Sequence, residues 1–233
     1  MIKILAACGA GVNSSHQIKS ALEEELSNRG YDVHCDAVMV KDVNEDLMKG
    51  YDIFTPIAAT DLGFEPGIPV IEAGLMVLDY FFDKNLVFCL EADNQEQLFD
   101  QVATLLEERE IVTPTYREAL ITREKSFPTG LDMEFLGKDL PNVAIPHTDI
   151  VHNLAEKVVV VRLEKPVTFH NMIAPGKEVE VSLLFFIINN SSSSQTNILA
   201  QLMDFFTGNG HLEDLSKISE PEKLYAYIAE ATA

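Results

Sequence analysis

Long apolar stretches are missing from this sequence of 233 residues, and tryptophan is absent altogether. The densest apolar segment, Val181 to Ile188, spans eight residues, whereas a membrane-spanning helix needs about 20. The N-terminal segment has one early charge at Lys3 and then meets a glycine-rich turn, so it lacks the features of a signal peptide. We therefore expect a cytoplasmic protein without direct membrane insertion.

Basic residues are also scarce, with 17 Lys and Arg against 37 Asp and Glu, which gives a formal net charge of -20. A surface this acidic repels nucleic acid and anionic lipid headgroups, so we expect no nucleic-acid partner. A solvated surface explains most of these charges, although they can also steer a basic patch on a partner protein.

The three cysteines, Cys8, Cys35 and Cys89, show no CxxC spacing. An odd number at such spacing argues against a disulfide framework and against a zinc site. The six histidines form no HExxH pattern either. We therefore expect free thiols, no metal and no cofactor.

Strands alternate with helices in the first third of the chain, which predicts a small parallel sheet with helices on its faces, a doubly wound α/β fold. The length suits two small domains, and we place the boundary between residues 82 and 83. The segment from Gly74 to Leu90 contains no linker rich in proline or serine. The predicted strands of the first domain are Ile2–Ala7, Tyr31–Val40, Asp52–Ala58 and Gly67–Glu72, with helices over Ser14–Asn28 and Val43–Met48.

Residues 83–233 form the second predicted domain, in which apolar residues recur at helical and strand spacing. The predicted helices are Asn94–Glu107, Thr115–Lys125, Asn197–Phe206 and Glu220–Glu230, and the predicted strands are Leu86–Leu90, Lys157–Leu163 and Val179–Ile188.

Cys8 stands where the first strand meets a glycine-rich turn and the following helix begins. Backbone N–H groups in such a loop, together with the helix N-terminus, bind a phosphate-sized anion and lower the pKa of a thiol. The predicted phosphate-binding residues are Gly9, Ala10, Gly11, Val12, Asn13, Ser14 and Ser15. The loop lacks the lysine of a nucleotide-binding P-loop and the arginine of a cysteine-dependent phosphatase. The alternative is a buried cysteine before an ordinary turn.

Residues 1 to about 74 resemble the IIB component of the galactitol-type sugar phosphotransferase system. The resemblance is carried by Lys3 to Gly11 with Ser14-Ser15, by Asp52 to Ala58 and by Ile68 to Gly74. It implies a Rossmann-like fold in which Cys8 accepts a phosphoryl group and passes it to a sugar. The family continues into a closing helix, whereas Leu75 to Phe82 is too short for one.

The remainder resembles the IIA component of the fructose–mannitol class, on Arg123-Glu124, Phe127 to Gly130 and Val143 to His147. This resemblance implies a mixed-sheet α/β sandwich with a phosphorylated histidine at His147. It implies supporting residues at Arg123, which can balance phosphate charge, Glu124 and Thr129. Some relatives have a second histidine where this chain has Gln195, whose amide can still donate to a phosphoryl oxygen.

Together the two resemblances imply a phosphotransferase that takes phosphate from the carrier protein HPr on His147 and passes it to Cys8. The final acceptor would be a sugar alcohol, with galactitol the family default, bound by a separate membrane component, IIC. The alternatives are a regulatory module controlled by phosphorylation of His147 and a thiol-dependent phosphatase. The residues alone leave open the sugar, the oligomeric state and whether transfer runs within or between chains.

Overall fold

The computed structural model describes residues 1–8, 19–20, 22–24, 26–56, 62–71, 81–190 and 195–232. The chain divides into two compact units, Met1–Leu78 and Asp79–Ala233. No helix in the described part of the chain is long and apolar enough to cross a membrane.

The first unit contains a three-stranded parallel sheet, in which the segment Ile2–Cys8 lies between Val33–Met39 and Ile53–Pro56. Residues 19–20, 22–24 and 26–28 are helical and belong to the first predicted helix, α1. The strands are β1 (Ile2–Cys8), β2 (Val33–Met39) and β3 (Ile53–Pro56), and a second, short helix is α2 (Glu45–Met48). The predicted α/β class with a small parallel sheet is confirmed for this unit.

The central strand β1 is buried on both faces, because its side chains alternate between two apolar clusters. Ile4 and Ala6 pack in a cluster that also contains Leu22 of α1. The intervening residues of β1 pack on the opposite face in a cluster with Met48 and Phe54. This two-sided burial is what a doubly wound sheet requires.

The fourth strand predicted over Gly67–Glu72 is present only in part among its described residues, 67–71. There the chain makes a single parallel bridge, from Val70 to Phe54 of β3. Gly67 adopts a left-handed φ of 70°, and Pro69 has no N–H to donate to a ladder. Val70 and Ile71 are about half exposed, so little packing against a core stabilises further pairing of this segment with β3.

The second unit contains five strands, β4 (Phe82–Leu90), β5 (Gly130–Leu131), β6 (Asn142–Ala144), β7 (Lys157–His170) and β8 (Glu178–Ile188). They form a mixed sheet in the order β4-β7-β8-β6-β5. Its central pair, β7 and β8, is antiparallel, while β4 runs parallel to β7 and β6 runs parallel to β8. This mixed sheet confirms the predicted architecture.

Helices cover both faces of this sheet. The first pair, α3 (Gln95–Glu107) and α4 (Tyr116–Ser126), packs on the face that includes Phe186. The adjacent residue Phe185 points to the opposite face, where its ring lies 4.7 Å from that of Phe206. Phe206 belongs to α5 (Gln195–Thr207), which α6 (His211–Ser216) and α7 (Pro221–Thr232) follow along the chain.

Candidate functional site

His147 lies three residues beyond β6, at the edge where the parallel strands β6 and β8 both end. The carbonyl of Pro146 accepts a hydrogen bond of 3.0 Å from the N–H of Ile187 in β8. The ring of Pro146 fixes its own φ, so the backbone on the N-terminal side of His147 has little freedom. The β-sheet therefore determines where the imidazole stands.

The two ring nitrogens of His147 have different partners. Nδ1 lies 2.9 Å from the carbonyl oxygen of Ile145, which can only accept, so Nδ1 carries the hydrogen. The unprotonated Nε2 uses its lone pair to accept a hydrogen bond of 3.3 Å from Nη2 of Arg123. The half-buried imidazole thus presents a nucleophilic nitrogen beside a permanent cation.

Burial is the main cause that lowers the pKa of His147 below its ordinary value. The positive charge of Arg123 lowers it further, whereas the hydrogen bond to Ile145 and the charge of Asp149 act in the opposite direction. The net lowering favours the neutral ring, which is the form that can attack phosphorus.

Arg123 lies in the last turn of α4, and three groups orient its guanidinium. One is the Nε2 of His147, and a second is Oδ1 of Asp149, at 3.1 Å from Nη1. The third is the ring of Phe127, whose centroid lies 5.5 Å from Cζ. The cation is therefore positioned where a phosphoryl group on Nε2 would place its oxygens.

Glu124, in the last turn of α4, and Thr129, shortly after that helix, form a buried pair. The N–H and the hydroxyl of Thr129 each donate a hydrogen bond of 2.8 Å to the carboxyl group of Glu124. Burial raises the pKa of Glu124 to about 7, although both hydrogen bonds from Thr129 and the charge of Arg123 lower it. The structure thus brings Arg123 into contact with His147, whereas Glu124 bonds to Thr129.

Two polar residues after His147 belong to the site although the sequence pattern did not indicate them. Asp149 pairs with Arg123, and the buried Asn153 donates a hydrogen bond of 2.8 Å to the carbonyl of Asn189, just after β8. Asn153 also accepts a bond of 3.2 Å from the hydroxyl of Thr148. The sequence offers only a weak signal, namely that the polar residues Thr148 and Asp149 directly follow the Pro-His pair.

Cys8 is the last residue of β1, where its backbone pairs with Met39 of β2. The predicted phosphate-binding residues Gly9, Ala10, Gly11, Val12, Asn13, Ser14 and Ser15 lie outside the described residues. Gln195 is the first residue of α5, and its side chain is likewise outside the described part. Among the described residues, no group of three or more His, Cys, Asp or Glu side chains could hold a metal ion.

Two families match the chain in adjoining segments. Residues 80–231 match the family described as phosphoenolpyruvate-dependent sugar phosphotransferase system, EIIA 2. Residues 3–79 match the lactose/cellobiose-specific IIB subunit of the same transport system. This description differs from the galactitol-type IIB that the sequence resembles, but both are IIB components. The comparison with curated proteins found no match.

Solved IIA structures share the fold of the second unit. The mannitol-specific cryptic phosphotransferase enzyme IIA CmtB from Escherichia coli is 19% identical, with a TM-score of 0.52, over 66% of this chain and 98% of that protein. The complex of enzyme IIAMTL and phosphorylated enzyme IIBMTL from Escherichia coli matches at 18% identity and a TM-score of 0.51, over 64% and 99%. Because the EIIA 2 match spans more than half of the chain, the protein belongs to that family and is a sugar-system phosphotransferase with IIB and IIA domains fused in one chain.

Proposed function

We propose that His147 and Cys8 are the two residues that carry the phosphoryl group. His147 accepts it from the phosphocarrier HPr in the cytoplasm, and Cys8 accepts it from His147. Cys8 then passes it to a sugar alcohol, with galactitol the first candidate, bound by a separate membrane IIC component. The observation that supports this most directly is the unprotonated Nε2 of His147 beside the guanidinium of Arg123.

In the first step the lone pair on Nε2 attacks the phosphorus of the donor's phosphohistidine. The new N–P bond forms as the donor's N–P bond breaks, and the donor nitrogen keeps the electron pair. Arg123 exchanges its hydrogen bond to Nε2 for bonds to the equatorial oxygens and neutralises their charge, which is how proteins chiefly assist phosphoryl transfer. The carbonyl of Ile145 accepts from Nδ1–H and so stabilises the positive charge that develops on the ring.

In the second step the thiolate of Cys8 attacks the phosphorus on Nε2. An S–P bond forms as the N–P bond breaks, and His147 regains its neutral ring with Nδ1 still protonated. The position of Cys8 at the end of a central parallel strand supports this role, because ligands of open α/β sheets bind beyond the carboxyl ends of the strands. These first two steps transfer the phosphoryl group between protein side chains, whereas in the final transfer its acceptor is a hydroxyl group of the sugar alcohol.

A second candidate substrate is a disaccharide, favoured by the match of residues 3–79 to a lactose/cellobiose-specific IIB subunit. Galactitol is favoured by the resemblance of the motifs around Cys8 to galactitol-type IIB components. The two are separated by adding the phosphorylated chain to vesicles that contain either a galactitol or a cellobiose IIC component. Phosphorylated galactitol supports the first candidate, and phosphorylated cellobiose replaces it with the second.

The relay itself is tested by incubating the chain with labelled phosphoenolpyruvate, enzyme I and HPr, and then locating the label. We expect label on His147 and Cys8 in the wild type, on His147 alone in Cys8→Ser, and on neither residue in His147→Ala. Cys89→Ser and His152→Gln are the matched controls and should keep both labels. Label that stays on His147 in the wild type would favour the regulatory alternative, and steady release of free phosphate would favour the phosphatase.

A further inference from the structure

We infer that Glu124 and Thr129 act together as a positioning pair, which fixes the tautomer and orientation of His147 through the backbone of Ile145. This inference rests on the proposed role of His147 and assigns the function of a buried pair that does not itself touch the ring. Three successive hydrogen-bonded links connect Glu124 to the imidazole of His147.

The first link attaches Thr129 to Glu124 at two points. The N–H of Thr129 donates to Oε1 and its hydroxyl donates to Oε2, both at 2.8 Å. Both residues are buried, Glu124 at 5% and Thr129 at 1% exposure, so water does not compete for these bonds. The position and direction of the Thr129 carbonyl are therefore fixed by the carboxyl group at the end of α4.

The second and third links run from Thr129 to the imidazole. The carbonyl of Thr129 accepts a bond of 3.2 Å from the N–H of Ile145. The carbonyl of Ile145 in turn accepts a bond of 2.9 Å from Nδ1 of His147. If Thr129 moves, the peptide of Ile145 loses its anchor, and Nδ1 loses the acceptor that keeps it protonated.

Adjacent residues of α4 thereby act on both nitrogens of one ring. Arg123 contacts Nε2 directly, whereas Glu124 acts on Nδ1 through Thr129 and Ile145. This arrangement explains why a costly carboxyl group is buried at position 124. An apolar side chain would pack there at lower cost but would leave the N–H and the hydroxyl of Thr129 without their partner.

The pair persists whether Glu124 is ionised or neutral. The ionised group accepts both bonds from Thr129. In the neutral acid, Oε1 still accepts from the N–H, while the protonated Oε2 donates to the hydroxyl oxygen instead. A glutamine can make the same two bonds as the neutral acid, whereas a methionine of similar length can make neither. Glu124→Gln and Glu124→Met are therefore a matched pair of variants.

The direct test is nitrogen-15 NMR of the His147 ring in the full chain, which reports which nitrogen carries the hydrogen. We expect the Nδ1–H form in the wild type and in Glu124→Gln, and a mixture of the two neutral forms in Glu124→Met. The rate at which HPr phosphorylates His147 should fall about tenfold to a hundredfold in Glu124→Met, since a misplaced nucleophile loses that much. Glu124→Gln should retain most of the rate.

If Glu124→Met does not fold, Thr129→Val replaces it in the test, because this variant removes only the hydroxyl group of the pair. Thr129→Ser restores the hydroxyl and is the control for Thr129→Val. We expect a partial loss of the Nδ1–H form in Thr129→Val and its recovery in Thr129→Ser. A folded Glu124→Met or Thr129→Val chain with an unchanged tautomer and rate would overturn the inference. The tautomer is measured without phosphorylation, so the two proposals fail in different experiments. A wild type that takes no label on His147 would overturn the relay but would not change the tautomer measured for the ring.

Discussion

At the scale of single residues, burial acts on His147 and Glu124 so that each favours its uncharged form. It lowers the pKa of His147, and it raises the pKa of Glu124 from an ordinary 4.5 to about 7. Near neutral pH the imidazole is therefore a nucleophile rather than an imidazolium. Arg123 remains the permanent cation beside it, and it is available to balance an incoming phosphoryl group.

The raised pKa of Glu124 predicts a pH-dependent stability. Because the folded protein binds this proton more tightly than the unfolded chain, its stabilising contribution is complete below about pH 4.5 and is lost as the pH rises through about 7. Glu124→Gln cannot ionise, so it should gain stability relative to the wild type across this window. The relative gain should reach up to about 3 kcal/mol at pH 8.

The measurement is urea unfolding of the full chain at pH 5 and pH 8, followed by circular dichroism. The control is Glu118→Gln, which changes an exposed glutamate on the same helix and should shift the unfolding midpoint equally at both pH values. An equal difference between Glu124→Gln and the wild type at the two pH values would contradict the prediction.

At the scale of elements, the parts that the sequence predicts are those whose burial leaves a recognisable apolar pattern. The apolar face of α3 appears in the sequence as helical spacing, whereas β1, which is buried on both faces, appears as a short apolar run. β5 has only two residues and α6 only six, so neither contains enough repeats to be recognised. The segment after Gly67 contains strand-forming residues, yet Pro69 and half-exposed side chains limit it to one bridge.

The site is less predictable than the fold because its contacts join residues that are distant in sequence. Arg123 and His147 are 24 positions apart, and it is the packing of α4 beside β6 that brings them together. The motifs shared with the IIA family indicated both residues, but no local period indicates that Asp149 pairs with the arginine. The buried Asn153 was missed for the same reason, since a polar residue in a loop is ordinarily exposed.

A close approach between elements gives a prediction for Gly130, the first residue of β5. A Cβ built there would lie 2.6 Å from the carbonyl oxygen of His170, which is backbone and cannot move aside easily. Gly130→Ala should therefore displace β5 and the adjacent Thr129, and lower the free energy of unfolding by about 1–3 kcal/mol. It should also slow phosphorylation of His147.

Gly176→Ala is the matched control, because a Cβ at that position meets nothing within 4 Å. We expect it to leave both the unfolding midpoint and the rate of labelling nearly unchanged. Equal midpoints for the two alanine variants would show that β5 adapts to the extra methyl group, against the prediction.

At the scale of the whole molecule, the fusion places a IIB and a IIA domain in one chain. A covalent connection raises the effective concentration of one domain near the other to about the millimolar range for a short flexible linker. The two domains of separate chains meet only at the concentration of the protein in solution. The fusion therefore favours transfer within a chain wherever His147 and Cys8 can approach each other.

We accordingly predict that the step from His147 to Cys8 has a rate independent of chain concentration. The wild type is labelled by HPr, and HPr is then removed. Transfer of the label from His147 to Cys8 is followed in samples quenched over time, at a micromolar chain concentration and at one ten times higher. The comparison is a mixture of Cys8→Ser, which can be labelled only on His147, with His147→Ala, which can be labelled only on Cys8. The mixture should transfer more slowly and in proportion to concentration, because its two domains meet by diffusion. If the mixture transfers as fast as the wild type, and both accelerate with concentration, the relay runs between chains.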